Sequence, residues 1–254
     1  MKKIILLLIS LTLITSSLFA QGVREKEELP VYTASTAWTV GFAQLGGLDD
    51  IKNIAPADLN HPPEYEILPQ DINAIVNSKL FIYAGYEVMM ETLSKTLISK
   101  DKLIKIITSN NLENVKKVAK QISEVANTQE ISNQRVAEYE KMIISARASV
   151  KELGLDKLSC LVNFHQAPLA KDLGLNVVQT FGPGAITPQN IKDSHDNQYD
   201  LIIDNVHTIL SGPLAEVSTN STLIIWRNFP DNIEANAFYN MIDQNVKTLL
   251  KIAK

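Results

Sequence analysis

The sequence predicts an α/β protein of two lobes, each with a mainly parallel sheet, joined by one long helix. Strands and helices alternate over residues 30–108, two helical segments then follow each other directly, and the alternation resumes to the end of the chain. Such alternation is typical of parallel sheets covered by helices. Because it resumes after the second helical segment, we expect that helix to link two halves. The alternative is a helix packed on one continuous sheet.

The first half has hydrophobic periodicity that switches between two and 3.6 residues. Its first helix is predicted to end at Gly46-Gly47. Another helix is predicted to begin at Pro69, because a proline in the first turn does not remove an intrahelical hydrogen bond. We predict strands at 30–34, 50–55, 79–84 and 103–108, and helices at 37–45, from 69, and at 87–97.

The second half begins after helices predicted at 111–126 and 129–153. The 129–153 segment has an apolar stripe of Val136, Met142, Ile143, Ala146, Val150 and Leu153. We predict later strands at 158–163, 176–180, 200–204 and 222–226, and helices at 167–173, from 187 and at 234–253, with a further segment at 209–217 to which no type is assigned.

The amino-terminal residues predict export. Lys2 and Lys3 precede an apolar run and a small-residue region ending at Ala20, as in a cleaved signal peptide. No cysteine follows Ala20 directly, so no lipid anchor is expected. We therefore expect a signal peptide at 1–20, an N-terminal lobe at 21–128, a linking helix at 129–153 and a C-terminal lobe at 154–254, in an extracytoplasmic, periplasmic protein.

Composition and the absence of certain motifs exclude several classes of function. The formal net charge of −4 argues against nucleic-acid or anionic-membrane binding. The single cysteine, Cys160, falls in an apolar run and is expected to be a buried, inert thiol. No nucleophile elbow, phosphate-binding glycine loop or His-Glu-x-x-His pair is present. We therefore expect a binding protein and not an enzyme.

Residues 60–72 resemble a ligand loop of the zinc- and manganese-binding receptors that supply ABC importers. That family has Pro-His-x-Tyr-Glu-x-x-Pro-x-Asp-Ile, and this chain has Tyr65-Glu66, Pro69 and Asp71-Ile72 at the matching positions. Pro63 replaces the family's histidine, and His61 lies two residues earlier. The landmarks at 35–47 and 79–87 also resemble the family, which implies two α/β lobes with a ligand cleft between them.

Three histidines are candidate metal ligands. His165 follows a strand, and residues 164–178 resemble the family run Phe-His-x-Ala…Gly-Leu-x-Val-Val, whose histidine is a ligand of the second lobe. His61 and His207 also follow predicted strands, where ligands of open α/β sheets bind. One of Glu64, Glu66 or Asp204 can complete a four-ligand zinc site. His195, in a polar loop at 193–197, is expected to be solvent-exposed.

Two other ligand positions of the family are not kept. Residues 107–110 contain no histidine, and residues 225–228 contain no acid. The resemblance implies a monomeric solute-binding protein that captures zinc, or manganese, and delivers it to a membrane permease. The alternatives are a metal chelate or another small solute, favoured by Trp226 and Arg227 near the expected cleft, and a non-transport binding or adhesion protein.

Overall fold

Two parallel four-stranded sheets form the framework. The computed structural model describes residues 31–59, 61–93 and 98–253, so the predicted signal peptide lies outside the described residues. The strand orders are β2-β1-β3-β4 and β6-β5-β7-β8. The strands are β1 (Tyr32–Ala34), β2 (Ile51–Asn53), β3 (Leu80–Tyr83), β4 (Leu103–Lys105), β5 (Ser159–Asn163), β6 (Asn176–Phe181), β7 (Leu201–Asn205) and β8 (Thr222–Trp226).

The helices of the described chain fall between and around these strands. They are α1 (Ala37–Leu45), α2 (Pro69–Asn77), α3 (Met89–Leu93), α4 (Leu112–Ala126), α5 (Gln129–Glu152), α6 (Ala167–Asp172), α7 (Pro188–Asn197), α8 (Gly212–Val217) and α9 (Ala237–Leu250). Among the described residues, no helix is both long and apolar enough to cross a bilayer. The predicted fold class is confirmed, and α1 and β8 have the predicted bounds.

Two local predictions are wrong. His195 was predicted in a polar loop, but it lies on α7, which begins at a capping box in which Thr187 Oγ1 accepts a hydrogen bond from Asn190 N at 3.2 Å. Leu153 was placed on the buried stripe of α5, but 47% of it is exposed, because the helix ends at Glu152. Tyr139, fully buried, occupies that stripe instead.

One apolar core runs through both halves of the chain. Leu80 and Ile82 of β3 pack in it together with Val162 of β5 and Ile203 of β7. Phe81 points to the other face of its sheet, into a separate smaller cluster, as the two-residue alternation of a strand requires. Cys160 also lies in the large core, where burial raises the pKa of its thiol to about 12. The boundaries proposed between the lobes stay a prediction.

The last helix, α9, packs against the first half of the molecule. The ring of Phe238 lies 5.2 Å from that of Phe42 on α1 and 5.8 Å from that of Tyr139 on α5. Gly41 of α1 allows this approach, because a Cβ at this position would lie 2.8 Å from Phe238 Cβ. The two halves are therefore held together by contacts among α1, α5 and α9.

We expect Gly41→Val to lower the melting temperature. Overpacking of this kind lowers the free energy of unfolding by about 1–3 kcal/mol, which corresponds to roughly 2–12 °C in melting temperature for a domain of this size. Because valine is β-branched, we expect a loss toward the upper end of this range. The better helix propensity of valine offsets only a few tenths of a kcal/mol. Thermal unfolding followed by circular dichroism would measure the change. Gly184→Val is the control, because nothing lies within 4 Å of its added Cβ; equal melting temperatures for the two variants would contradict this account.

Candidate functional site

A cavity of about 270 Å³ lies at the carboxyl ends of both sheets. Strand order reverses direction between β1 and β3 in one sheet and between β5 and β7 in the other. Ligands of open α/β sheets bind at such switch points. His61, His165 and His207 all line this cavity. The structure therefore brings together the three histidines that the sequence singles out.

His61 lies in a loop that is fixed mainly by backbone bonds and prolines. Its carbonyl accepts a hydrogen bond from Glu64 N at 3.0 Å, which closes the single 3-10 turn Pro62–Glu64. The carbonyl of Pro63 accepts a hydrogen bond from Val88 N at 2.9 Å, which ties the loop to the connection after β3. The imidazole itself is exposed. The two-residue shift from the family position therefore leaves His61 on the cavity.

The connection after β3 carries Tyr86 to the cavity and is held by Glu87. The carboxylate of Glu87, only 3% exposed, accepts hydrogen bonds from the Ser35 hydroxyl, from Ala84 N at 2.8 Å and from Gly85 N. Because Ser35 follows β1, this one carboxylate joins the ends of two adjacent strands. It fixes the wall of the cavity that the first sheet supplies.

Asp204 anchors the two loops that carry His165 and His207. Its Oδ2 accepts hydrogen bonds from Leu210 N and Ser211 N, both at 2.7 Å. Its Oδ1 accepts one from Asn163 Nδ2 at 2.8 Å, and Asn163 Oδ1 accepts one from His165 N at 3.0 Å. The carboxylate is fully buried, and three of its four hydrogen bonds come from backbone N–H groups, those of Asn205, Leu210 and Ser211. Its role is to position the loops, and it does not line the cavity.

His207 is held as a neutral imidazole with one nitrogen free. Its ring stacks on Phe229 with centroids 3.5 Å apart. Burial lowers the pKa of His207 to about 4; a hydrogen bond to the backbone of Phe229 opposes this, while Arg227 and His61 lower the pKa further. Its Nε2 is buried and has no hydrogen-bond partner among the described residues. An imidazole bonded to backbone through one nitrogen presents the other as a metal ligand.

The metal-free protein should lose stability as the pH falls below about 6.5. Burial holds the pKa values of His207 and His165 below that ordinary value, so the unfolded chain binds protons that the native chain does not. The contribution of these neutral histidines to the free energy of unfolding is fully present above about pH 6.5 and is lost as the pH falls toward about 4. Melting temperatures between pH 8 and 4.5 in a chelator should therefore fall less steeply for His207→Gln than for the wild type. His195→Gln should keep the wild-type slope, and three equal slopes would contradict the assignment.

The remaining walls of the cavity mix aromatic and neutral polar groups, which sequence reasoning missed. The aromatic side chains are those of Trp38, Tyr86 and Phe229. The polar ones are those of Thr36, Asn205, Thr208 and Asn228. All seven lie at or shortly after the end of β1, β3, β7 or β8, so strand-end position was the available signal.

Asn110 occupies the region where the family resemblance places a second histidine. It is buried and joins three parts of the chain: Oδ1 accepts a hydrogen bond from Trp38 Nε1 at 3.0 Å, and Nδ2 donates one to the Asn228 carbonyl at 2.7 Å. Its own carbonyl accepts one from the Tyr139 hydroxyl at 2.8 Å. At this position the chain therefore has an amide that bridges distant segments, where the resemblance implies a ligand.

Three residues expected near the ligand lie elsewhere. Glu66 is exposed and does not line the cavity. Trp226 is fully buried in the core, and Arg227 pairs with Asp231 at 3.3 Å. Within the described ranges, no three side chains of His, Cys, Asp or Glu are grouped closely enough to hold a metal ion in this conformation.

Comparison with known proteins gives matches in structure only. No protein-family model matches the chain, and no curated protein matches its sequence. Among solved structures, the laminin-binding protein Lmb of Streptococcus agalactiae, described as bifunctional with adhesin and metal-transporting activity, is 14% identical with a TM-score of 0.62. That match covers 89% of this chain and 99% of Lmb.

Two further matches are metal complexes. A cadmium-bound periplasmic metal-binding protein from Candidatus Liberibacter asiaticus is 13% identical with a TM-score of 0.63, over 89% of this chain and 100% of that one. The solute-binding protein FpvC of Pseudomonas aeruginosa, solved with Ni²⁺, is 14% identical with a TM-score of 0.64, over 87% and 96%. At such identities the likeness is one of fold. This chain has the two-lobe α/β fold that these metal-binding proteins share, as its sequence motifs predicted.

Proposed function

We propose that this chain is an extracytoplasmic solute-binding protein of an ABC importer. It captures a divalent metal ion, with zinc preferred over other metals, and delivers this ion to the membrane permease. One observation carries the proposal: histidines from loops of both sheets line a single cavity, and one of them offers a buried, unpartnered Nε2. A buried acceptor without a donor is rare in native proteins and favours a cation at this place. The metal-binding proteins that share the fold add support.

The donor set favours zinc over manganese. Imidazole suits zinc, nickel and copper, whereas manganese prefers carboxylate, carbonyl and water oxygens. The described lining of the cavity includes His61, His165 and His207 but no carboxylate. Three histidines leave the fourth position of a tetrahedral zinc ion open. We therefore assign these three as protein ligands and Asp204 as the residue that positions two of them.

Binding requires the imidazoles to move closer together than they lie in this conformation. His61 and His165 stand on opposite sheets, so a small approach of the two strand-end edges shortens the distance between them. The contacts among α1, α5 and α9 hold the halves together and restrict this approach to a small rocking movement. Capture between two lobes places the cargo at their open edge, from which a membrane permease can receive it.

Metal content tests the proposal directly. The mature protein, purified without chelators, should retain about one zinc per chain after dialysis, as measured by mass spectrometry of the elements. His165→Ala should retain much less, whereas His195→Ala, changed at an exposed histidine on α7, should match the wild type. Equal retention by wild type and His165→Ala would overturn the site assignment, and no retention of any divalent ion by the wild type would overturn the metal-binding function.

A further inference from the structure

A second cavity adjoins the histidine cavity and shares two residues with it. Its volume is about 590 Å³, and both cavities are lined by Trp38 and His165. His165 therefore stands between two chambers, one with the other histidines and one without. A metal ion with a few waters needs only a small multiple of the ~30 Å³ that one liquid water takes. The two neighbouring cavities together have more volume than such a hydrated ion needs.

The histidine cavity offers nitrogen ligands without a balancing negative charge. Among the described residues that line it there is no Asp, Glu, Lys or Arg. Besides His207 Nε2, the buried Asn228 Oδ1 has no hydrogen-bond partner there. A doubly charged ion coordinated only by neutral groups retains its whole charge beside the apolar rings of Trp38 and Phe229, where it loses part of its hydration, which is costly. Anionic ligands that arrive with the metal would remove this cost.

The adjoining cavity has the groups that recognise a small organic anion. Lys171 lines it, is exposed, and has no ion-pair partner within the described chain. Neutral donors accompany it, namely Thr108, Ser109, Asn111 and Thr180. Phe164, 54% exposed, meets the His165 ring edge-on at 5.5 Å and provides an apolar wall. Asp172 also lines the cavity, but its carboxylate accepts a hydrogen bond from Leu112 N.

We propose that the cargo is a divalent metal ion in complex with a small polycarboxylate, an inference that rests on the proposed function. The metal is held by the three histidines, the carboxylates fill its open coordination positions, and the organic part lies in the adjoining cavity beside Lys171 and Phe164. The charge of the metal is then balanced by the cargo itself. This explains why the described lining of the histidine cavity contains no acid.

Equilibrium dialysis with radiolabelled citrate and with nitrilotriacetate tests this inference. The wild type should retain either carboxylate at about one per chain when an equimolar amount of zinc is present, and should retain neither without zinc. Lys171→Gln should weaken this retention roughly twofold to fivefold, the effect of one exposed ion pair. Lys151→Gln is the matched control, an exposed lysine at the far end of α5. It should behave as the wild type.

The outcomes separate this inference from the proposed function. Retention of zinc alone, with neither citrate nor nitrilotriacetate retained beside it, would overturn the inference and leave the proposed function standing. Loss of bound zinc as citrate is added would do the same, because a bare-ion site competes with citrate for the metal. No retention of zinc in any form would overturn both.

Discussion

Zinc should raise the melting temperature of the wild-type protein by roughly 5–11 °C when present at a hundred times its dissociation constant. A ligand that binds only the native state at that excess contributes about 2.7 kcal/mol, and each kcal/mol corresponds to roughly 2–4 °C in a domain of this size. His165→Ala should abolish most of the shift, because His165 is the imidazole at the boundary of the two cavities. Differential scanning fluorimetry with and without zinc measures both values.

The same experiment has internal controls. His61→Ala and His207→Ala should each reduce the shift, whereas His195→Ala should leave it unchanged. Burial lowers the pKa values of His165 and His207, so these two proposed ligands should stay neutral at lower pH than ordinary histidines, and zinc binding should persist there as well. A full zinc shift in His165→Ala would rule out the proposed site.

Asp204→Asn should reduce the free energy of unfolding by about 2–3 kcal/mol, or roughly 4–12 °C in melting temperature. The native carboxylate accepts hydrogen bonds from Leu210 N, Ser211 N and Asn163 Nδ2. An amide has only one oxygen, so its NH₂ group must face at least one of these buried donors. The zinc shift should shrink as well, because the loops that carry His165 and His207 lose their common anchor.

A second carboxylate provides the control for this variant. Asp200 Oδ2 accepts hydrogen bonds from Ser159 N at 2.8 Å and from the Ser159 hydroxyl at 2.7 Å, but it is exposed and lies at the opposite end of β7. Asp200→Asn should cost less stability and leave the zinc shift intact. If Asp204→Asn kept its stability but lost the zinc response, Asp204 would be a ligand, as the sequence suggested, and not a positioning residue.

The order of the strands and helices, and their type except in the 209–217 segment, could be predicted from the sequence. The bounds of α1 and β8 follow from hydrophobic periodicity and, for α1, from the glycine pair at its end, signals that act within a few residues. The position of His165 just after β5 was also visible, because parallel strands place their carboxyl ends at one edge. These features need no knowledge of distant parts of the chain.

The composition of the site needed the tertiary structure. Asp204 and Glu66 are acids near strand ends, as ligands often are, yet one turns into the protein to hold two loops and the other points to solvent. Phe229 became part of the cavity because His207 stacks on its ring from another loop. The direction of a side chain in a connection depends on contacts with residues far away in sequence, which local patterns do not encode. The sequence by itself determined the scaffold and the three histidines, and the packing of the two halves decided what surrounds them.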